Sequence, residues 1–232
     1  MSDARRDILA ALGTRTEAVG DPPHTPAPGP RRSPHELSRL LARRMQEHGV
    51  GVHLTQDHDA SFQLLADQLF AAGVRSVVVA EEPLLEAIGL AERLARALSA
   101  VTVRRPGELH GDAAWEAMDA GITGATAFWA ETGTMVLDAT SRRALLTSLL
   151  PPWHLVLGEG ERIHPDASDW ERSLPPGEGH LPLVTLQGPS RTADIEKRLV
   201  LGVHGPRRVS AFIAVGKLLD FQDPTSDDPR GG

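Results

Sequence analysis

Residues 121–139, GITGATAFWAETGTMVLDA, are where the reading of this chain turns. Two apolar runs, 122–130 and 135–139, flank a polar insert, Glu131-Thr132-Gly133-Thr134. Neither run alternates polar with apolar residues, and a short continuous apolar run predicts a strand covered on both faces. Together the two runs predict a hairpin. Its insert sets a carboxylate, two hydroxyls and a glycine beside the protein interior, which makes it the first candidate for chemistry. An ordinary hairpin with a polar tip accounts for the same residues.

Strand and helix signals alternate on both sides of this stretch. Upstream, Ser33-Pro34-His35-Glu36 is a capping box with proline at the first helical position, opening a helix to about residue 48. Then follow a strand over 50–55, a helix over 59–72, the strand VRSVVVA over 74–80, a helix over 82–98 broken near Gly89, a strand over 101–104 and a helix over 112–120 capped by Asp112. Downstream come a helix over 142–150 stopped by Pro151-Pro152, a strand over 153–157, a helix over 166–172 and strands over 183–187 and 209–215. Such alternation predicts an α/β fold, a three-layer α/β/α sandwich on a mostly parallel sheet, with the hairpin as its one antiparallel element. Outside this 33–219 domain, residues 1–13 predict a helix, 14–32 a proline-rich linker and 220–232 a disordered tail.

Composition narrows the chemistry. The chain has 232 residues, is 41% hydrophobic and 24% charged, and carries a formal charge of −7, which gives no electrostatic reason to expect nucleic acid. It contains no cysteine, so thiolate nucleophiles, thiolate zinc sites and self-held iron–sulfur clusters are excluded. No apolar run approaches the roughly 20 residues of a membrane helix, and the early run 8–12 is too short for a signal-peptide core, so a cytoplasmic location is expected. Dinucleotide, phosphate-loop and nucleophile-elbow motifs are missing, and Gly121-x-x-Gly124 and Gly202-x-x-Gly205 match none of them. His48, His53 and His58 recur every five residues, a spacing that shares no helix face, and no metal site is expected.

In open α/β sheets ligands bind beyond the carboxyl ends of the strands. Three polar loops follow predicted strands: 131–134, 188–194 (GPSRTAD) and 202–206 (GVHGP). Glu131, if desolvated, suits proton transfer or nucleophilic attack; a carboxylate capping turn amides is the alternative. Ser190 or Thr192 can cap a helical turn reaching residue 198, whose N-terminus favours an anion, and Arg191 can clamp a carboxylate or phosphate. Glu131 is thus the catalytic candidate. The ligand-binding candidates are Thr123, Thr132, Gly133, Thr134, Ser190, Arg191, Thr192, Asp194, Gly202 and His204.

The runs GITGATAFWAETGTMVLDA, LLPPWHLVLGEGERI and GPSRTADIEKRLVLGVHGP, in this order and spacing, resemble the lactate-utilisation (LUD) domain family over about residues 33–215. The resemblance implies the fold of the glucosamine-phosphate isomerase, ribose-phosphate isomerase and CoA-transferase group. It also implies a role in oxidising L-lactate to pyruvate beside partner subunits that carry iron–sulfur clusters, this chain binding a small anionic metabolite and no cofactor of its own. Glu131 would then sit in a motif like that of the thioester-forming glutamate of CoA-transferases, and Trp129 stands where a small or aliphatic residue is expected. A non-catalytic adaptor for the iron–sulfur subunits and a free-standing CoA-transferase or sugar-phosphate-isomerase-like enzyme remain the alternatives.

Overall fold

A computed structural model describes residues 32–175, 182–189, 191–193, 199–201 and 205–216. The expected first helix, the linker up to residue 31 and the tail lie outside these residues. The capping box forms as expected. Glu36 N–H donates to Ser33 Oγ at 3.3 Å and Ser33 N–H donates to Glu36 Oε2 at 2.7 Å, starting helix α1 (Pro34–Glu47). The spacing of Leu37, Leu41 and Met45 lays one face of α1 into the core.

Six strands make an all-parallel sheet: β1 (Gly51–Thr55), β2 (Ser76–Val79), β3 (Thr102–Arg104), β4 (Ala120–Gly124), β7 (Trp153–Glu159) and β12 (Arg208–Ala214), in the order β1-β12-β7-β4-β2-β3. Helices α2 (His58–Ala71), α3 (Pro83–Ala87) and α4 (Leu90–Ala97) join one core with Leu65, Leu69, Leu85, Leu90 and Leu94, packed with Ile122, Leu155 and Phe212. The break between α3 and α4 falls at Gly89, whose φ of 60° suits glycine. A second core joins α1 to Val156, Ala211 and Ile213. Helices therefore cover both faces, as the expected α/β/α sandwich requires. No helix among the described residues is long and apolar enough to cross a membrane.

The hairpin forms, but not within the main sheet. The apolar run expected as one strand over 122–130 is two. It ends in the parallel sheet at Gly124 and resumes as β5 (Ala127–Trp129), antiparallel to β6 (Thr134–Asp138). These two join β8 (Ile163–His164) and β9 (Leu183–Leu186) in a separate four-stranded sheet ordered β8-β5-β6-β9. Phe128, Met135 and Leu137 of the hairpin join the core beneath α1. Both strands being buried, each reads as continuously apolar, and the change of sheet leaves no gap in the pattern.

Two smaller expectations also change. Asp112 is the first residue of α5 (Asp112–Glu116), with Gly111 at the cap position and no side-chain cap bond. Within the expected helical turn over 190–198, residues 191–193 are instead extended: β10 (Arg191–Ala193) pairs antiparallel with β11 (Leu199–Leu201), and 190 and 194–198 lie outside the described residues.

Helix α6 (Arg142–Leu149) lies directly on β4. A Cβ at Gly121 would stand 2.0 Å from the Thr147 carbonyl oxygen. Gly121 and His154 are partners in the β4–β7 register, so they share this face. Thr123 Oγ1 and His154 Nε2, both buried, lie 2.8 Å apart. Burial pushes the His154 pKa down to about 3, so the ring is neutral and its Nδ1 has no partner among the described residues.

Gly121→Ala should displace α6 and lower stability by about 1–3 kcal/mol, read as a lower denaturant midpoint with an unchanged slope. His154 makes stability pH-dependent. Unfolded histidine titrates near 6.5, so the unfolded chain holds the extra proton from there down to about 3. This contribution is complete above pH 6.5 and is lost as pH falls. Between pH 7.5 and 5, His154→Gln should remove roughly 2 kcal/mol of the acid destabilisation measured by urea unfolding.

Candidate functional site at the carboxyl edge of the sheet

The valine run of β2 ends at Ala80, whose N–H donates to Ile122 O at 2.9 Å, and Glu81-Glu82-Pro83 then turns the chain into α3. Glu82 stands at the cap position of α3 but makes no side-chain cap bond. Its Oε2 instead accepts the Gly124 N–H at 2.6 Å, across the ends of β2 and β4. A Cβ at position 124 would stand 2.7 Å from that oxygen, so a larger residue there would push the carboxyl group aside. Burial pushes the Glu82 pKa up to about 7; the Gly124 N–H opposes this and the charge of Asp138 adds to it.

Glu82, Pro83, Leu84, Gly124, Ala125, Thr126, Asp138 and Arg162 enclose a cavity of about 180 Å³. Arg162 lies in the 3₁₀ turn after β7. Its Nε donates to Glu159 Oε2 at 2.7 Å and its Nη1 to Thr126 O at 3.4 Å. Glu159, the last residue of β7, has its pKa held below the usual carboxylate range chiefly by this bond, and His58 Nε2 at the start of α2 is 3.5 Å from its other oxygen. A row of ionisable groups therefore runs along the carboxyl ends of β2, β4 and β7, the edge where open α/β sheets bind ligands. A larger space of about 610 Å³ lies beside β2 and β3 and is lined by Phe70, Val74, Leu98 and Val101, with Arg75 as its one ionisable side chain. Chemistry favours the smaller site.

The 131–134 turn is placed elsewhere and lines neither space. Gly133, with φ 67°, packs against the backbone of Arg44 and Met45, where a Cβ would stand 2.8 Å from the Arg44 carbonyl carbon. Thr132 Oγ1 and Thr134 Oγ1 are 2.7 Å apart, and Gln187 Nε2 donates to Thr134 at 3.1 Å. His48 Nε2 lies 3.1 Å from the Thr132 carbonyl oxygen. Glu131 N–H donates to Pro165 O at 3.0 Å, and its carboxylate accepts from Arg32 Nη1 at 2.9 Å with 43% of the side chain exposed. The desolvation expected to activate Glu131 is absent. Its neighbours make this turn a clasp between the hairpin and the end of α1.

Thr123 lies in the core against His154, away from both spaces. Arg191 and Thr192 lie on β10, and Ser190, Asp194, Gly202 and His204 fall outside the described residues. Trp129 packs against Trp170, ring centroids 6.0 Å apart, and does not line the cavity. Sequence reasoning passed over Glu82, Asp138, Arg162 and Glu159, and weighed His58 only as a metal ligand. A signal was present: Glu82 follows the clearest parallel strand at its carboxyl end. Among the described residues no group of three or more His, Asp or Glu side chains is arranged to hold a metal ion.

The LUD domain profile matches residues 38–213. Lactate utilization protein C of Halalkalibacterium halodurans is 31% identical over 87% of this chain and 90% of its own length; its namesake from Shouchella clausii is 28% identical over 76% and 80%. The crystal structure of a DUF162 family protein from Deinococcus radiodurans aligns with a TM-score of 0.55 at 24% identity, covering 80% of this chain and all of that one, a likeness of fold. With the profile spanning most of the sandwich, the chain belongs to the LUD domain family.

Proposed function

We propose that this chain serves lactate utilisation, as the component that binds a small carboxylate metabolite in the oxidation of L-lactate to pyruvate. The observation carrying this reading is the similarity to lactate utilization protein C over nearly the full length of both chains. The carboxyl-edge cavity supports the ligand class, because it is small and has both an arginine and carboxyl groups in its walls. Electron transfer falls to partner chains that carry iron–sulfur clusters. A chain without cysteine lacks the thiolates that usually hold such clusters, which supports this division of labour.

The test is genetic complementation. In a bacterium that needs its own lactate utilization protein C to grow on L-lactate, this chain should restore growth on L-lactate to the deletion strain and leave growth on glucose unchanged. Affinity purification from the rescued cells should bring down iron–sulfur proteins, identified by their visible absorbance and iron content. No growth on L-lactate despite expressed, folded protein overturns the reading.

A further inference from the structure

Glu82 has no structural need to be ionisable. The bond from Gly124 N–H would be accepted equally by a glutamine, and α3 begins without a side-chain cap. The groups facing it are Asp138 at the end of β6 and Arg162 in the turn after β7, with Glu159 and then His58 beyond Arg162; the adjoining Glu81 is exposed. Nε and Nη1 of Arg162 are engaged, and Nη2 has no hydrogen-bond partner among the described residues. The cavity thus has a cationic wall and a carboxyl wall across about 180 Å³, room for a few non-hydrogen atoms and too little for a coenzyme.

We propose that this cavity binds a small 2-hydroxy or 2-oxo carboxylate, its carboxylate against the Arg162 guanidinium and its C2 oxygen accepting a hydrogen bond from the protonated Glu82 carboxyl group. The ligand class rests on the lactate reading; the place and the residue roles rest on the geometry. Glu82 titrates near neutrality, so it can supply that proton at pH 7. Ionised, it would join Asp138 in repelling the anion, so binding selects the protonated form and takes up a proton above neutrality.

Isothermal titration of the full chain with sodium L-lactate and with sodium pyruvate, in buffers of different ionisation enthalpy, tests this. Affinity should fall about tenfold from pH 6 to pH 8, with uptake of about one proton per ligand at pH 8. Glu82→Gln should still bind, with both the pH dependence and the proton uptake abolished. It should also melt above the wild type at pH 8, because a raised carboxyl pKa costs stability as pH rises from about 4.5 through 7. Arg162→Gln should lose about tenfold or more in affinity at either pH; Arg162→Lys replaces it if that variant does not fold. Failure of the wild type to bind either acid at millimolar concentration overturns the proposal. So does retention of the pH dependence in Glu82→Gln, or unchanged binding without Arg162. Growth rescue without binding overturns the site and leaves the lactate role; binding without rescue does the reverse.

Discussion

The architecture depends on a hand-over of backbone hydrogen bonds at residues 125 and 126. Ala125 N–H still donates to Leu157 O of the parallel sheet at 2.8 Å, and the next amide, Thr126 N–H, already donates to Val136 O of the hairpin sheet at 2.8 Å. A chain leaving one buried sheet for another must keep its amides paired, because an unpaired buried amide costs about as much as the hydrogen bond it lacks. Here the change is made within a single residue step. It turns the chain at the carboxyl edge and keeps Phe128 in the core shared with Val156. The cavity sits at this step, with Gly124, Ala125 and Thr126 forming part of its wall.

Electrostatics at that edge follow from the same geometry. Gly124 has lost its strand neighbour in the direction of Glu82, and its N–H is taken by a carboxyl oxygen instead. A carboxyl group held there is shielded by the strand ends and the start of α3, and it faces Asp138, which arrives on the hairpin. The two acids meet because the hairpin folds back to the strand ends, while Arg162 comes from the turn after β7. Three elements distant in sequence thus converge at one step in the chain.

Much of the fold was legible because its elements announce themselves chemically. The capping box at Ser33, the break at Gly89 and the prolines after α6 each act within a turn of the backbone, so their meaning survives without knowledge of the fold. The split at residue 125 was hidden because two strands buried in different sheets share one apolar composition. The 131–134 turn left two readings open for a related reason: hydroxyls, glycine and a carboxylate serve a structural clasp as well as they serve catalysis. Whether glycine at 133 meets a ligand or the backbone of Arg44 is decided by α1, nearly ninety residues earlier. Glu82 was passed over because next to Glu81 and Pro83 it reads as an ordinary helix start; its distinguishing partner, the Gly124 amide, is 42 residues away.

The strand order has a consequence for how the protein is made. β1 is the first described strand, and its neighbour in the sheet is β12, the last. While the chain is being synthesised, β1 must wait for residues 208–214 to emerge before it gains a strand partner, although α1 and α2 on either side of it are long complete. Its open edge therefore stays exposed while the residues between β1 and β12 are made, a period in which unpaired edges invite misassembly. Val209, Ala211 and Ile213 arrive to close the sheet and the core beneath α1 in one step, so assembly of this sheet is gated by β12.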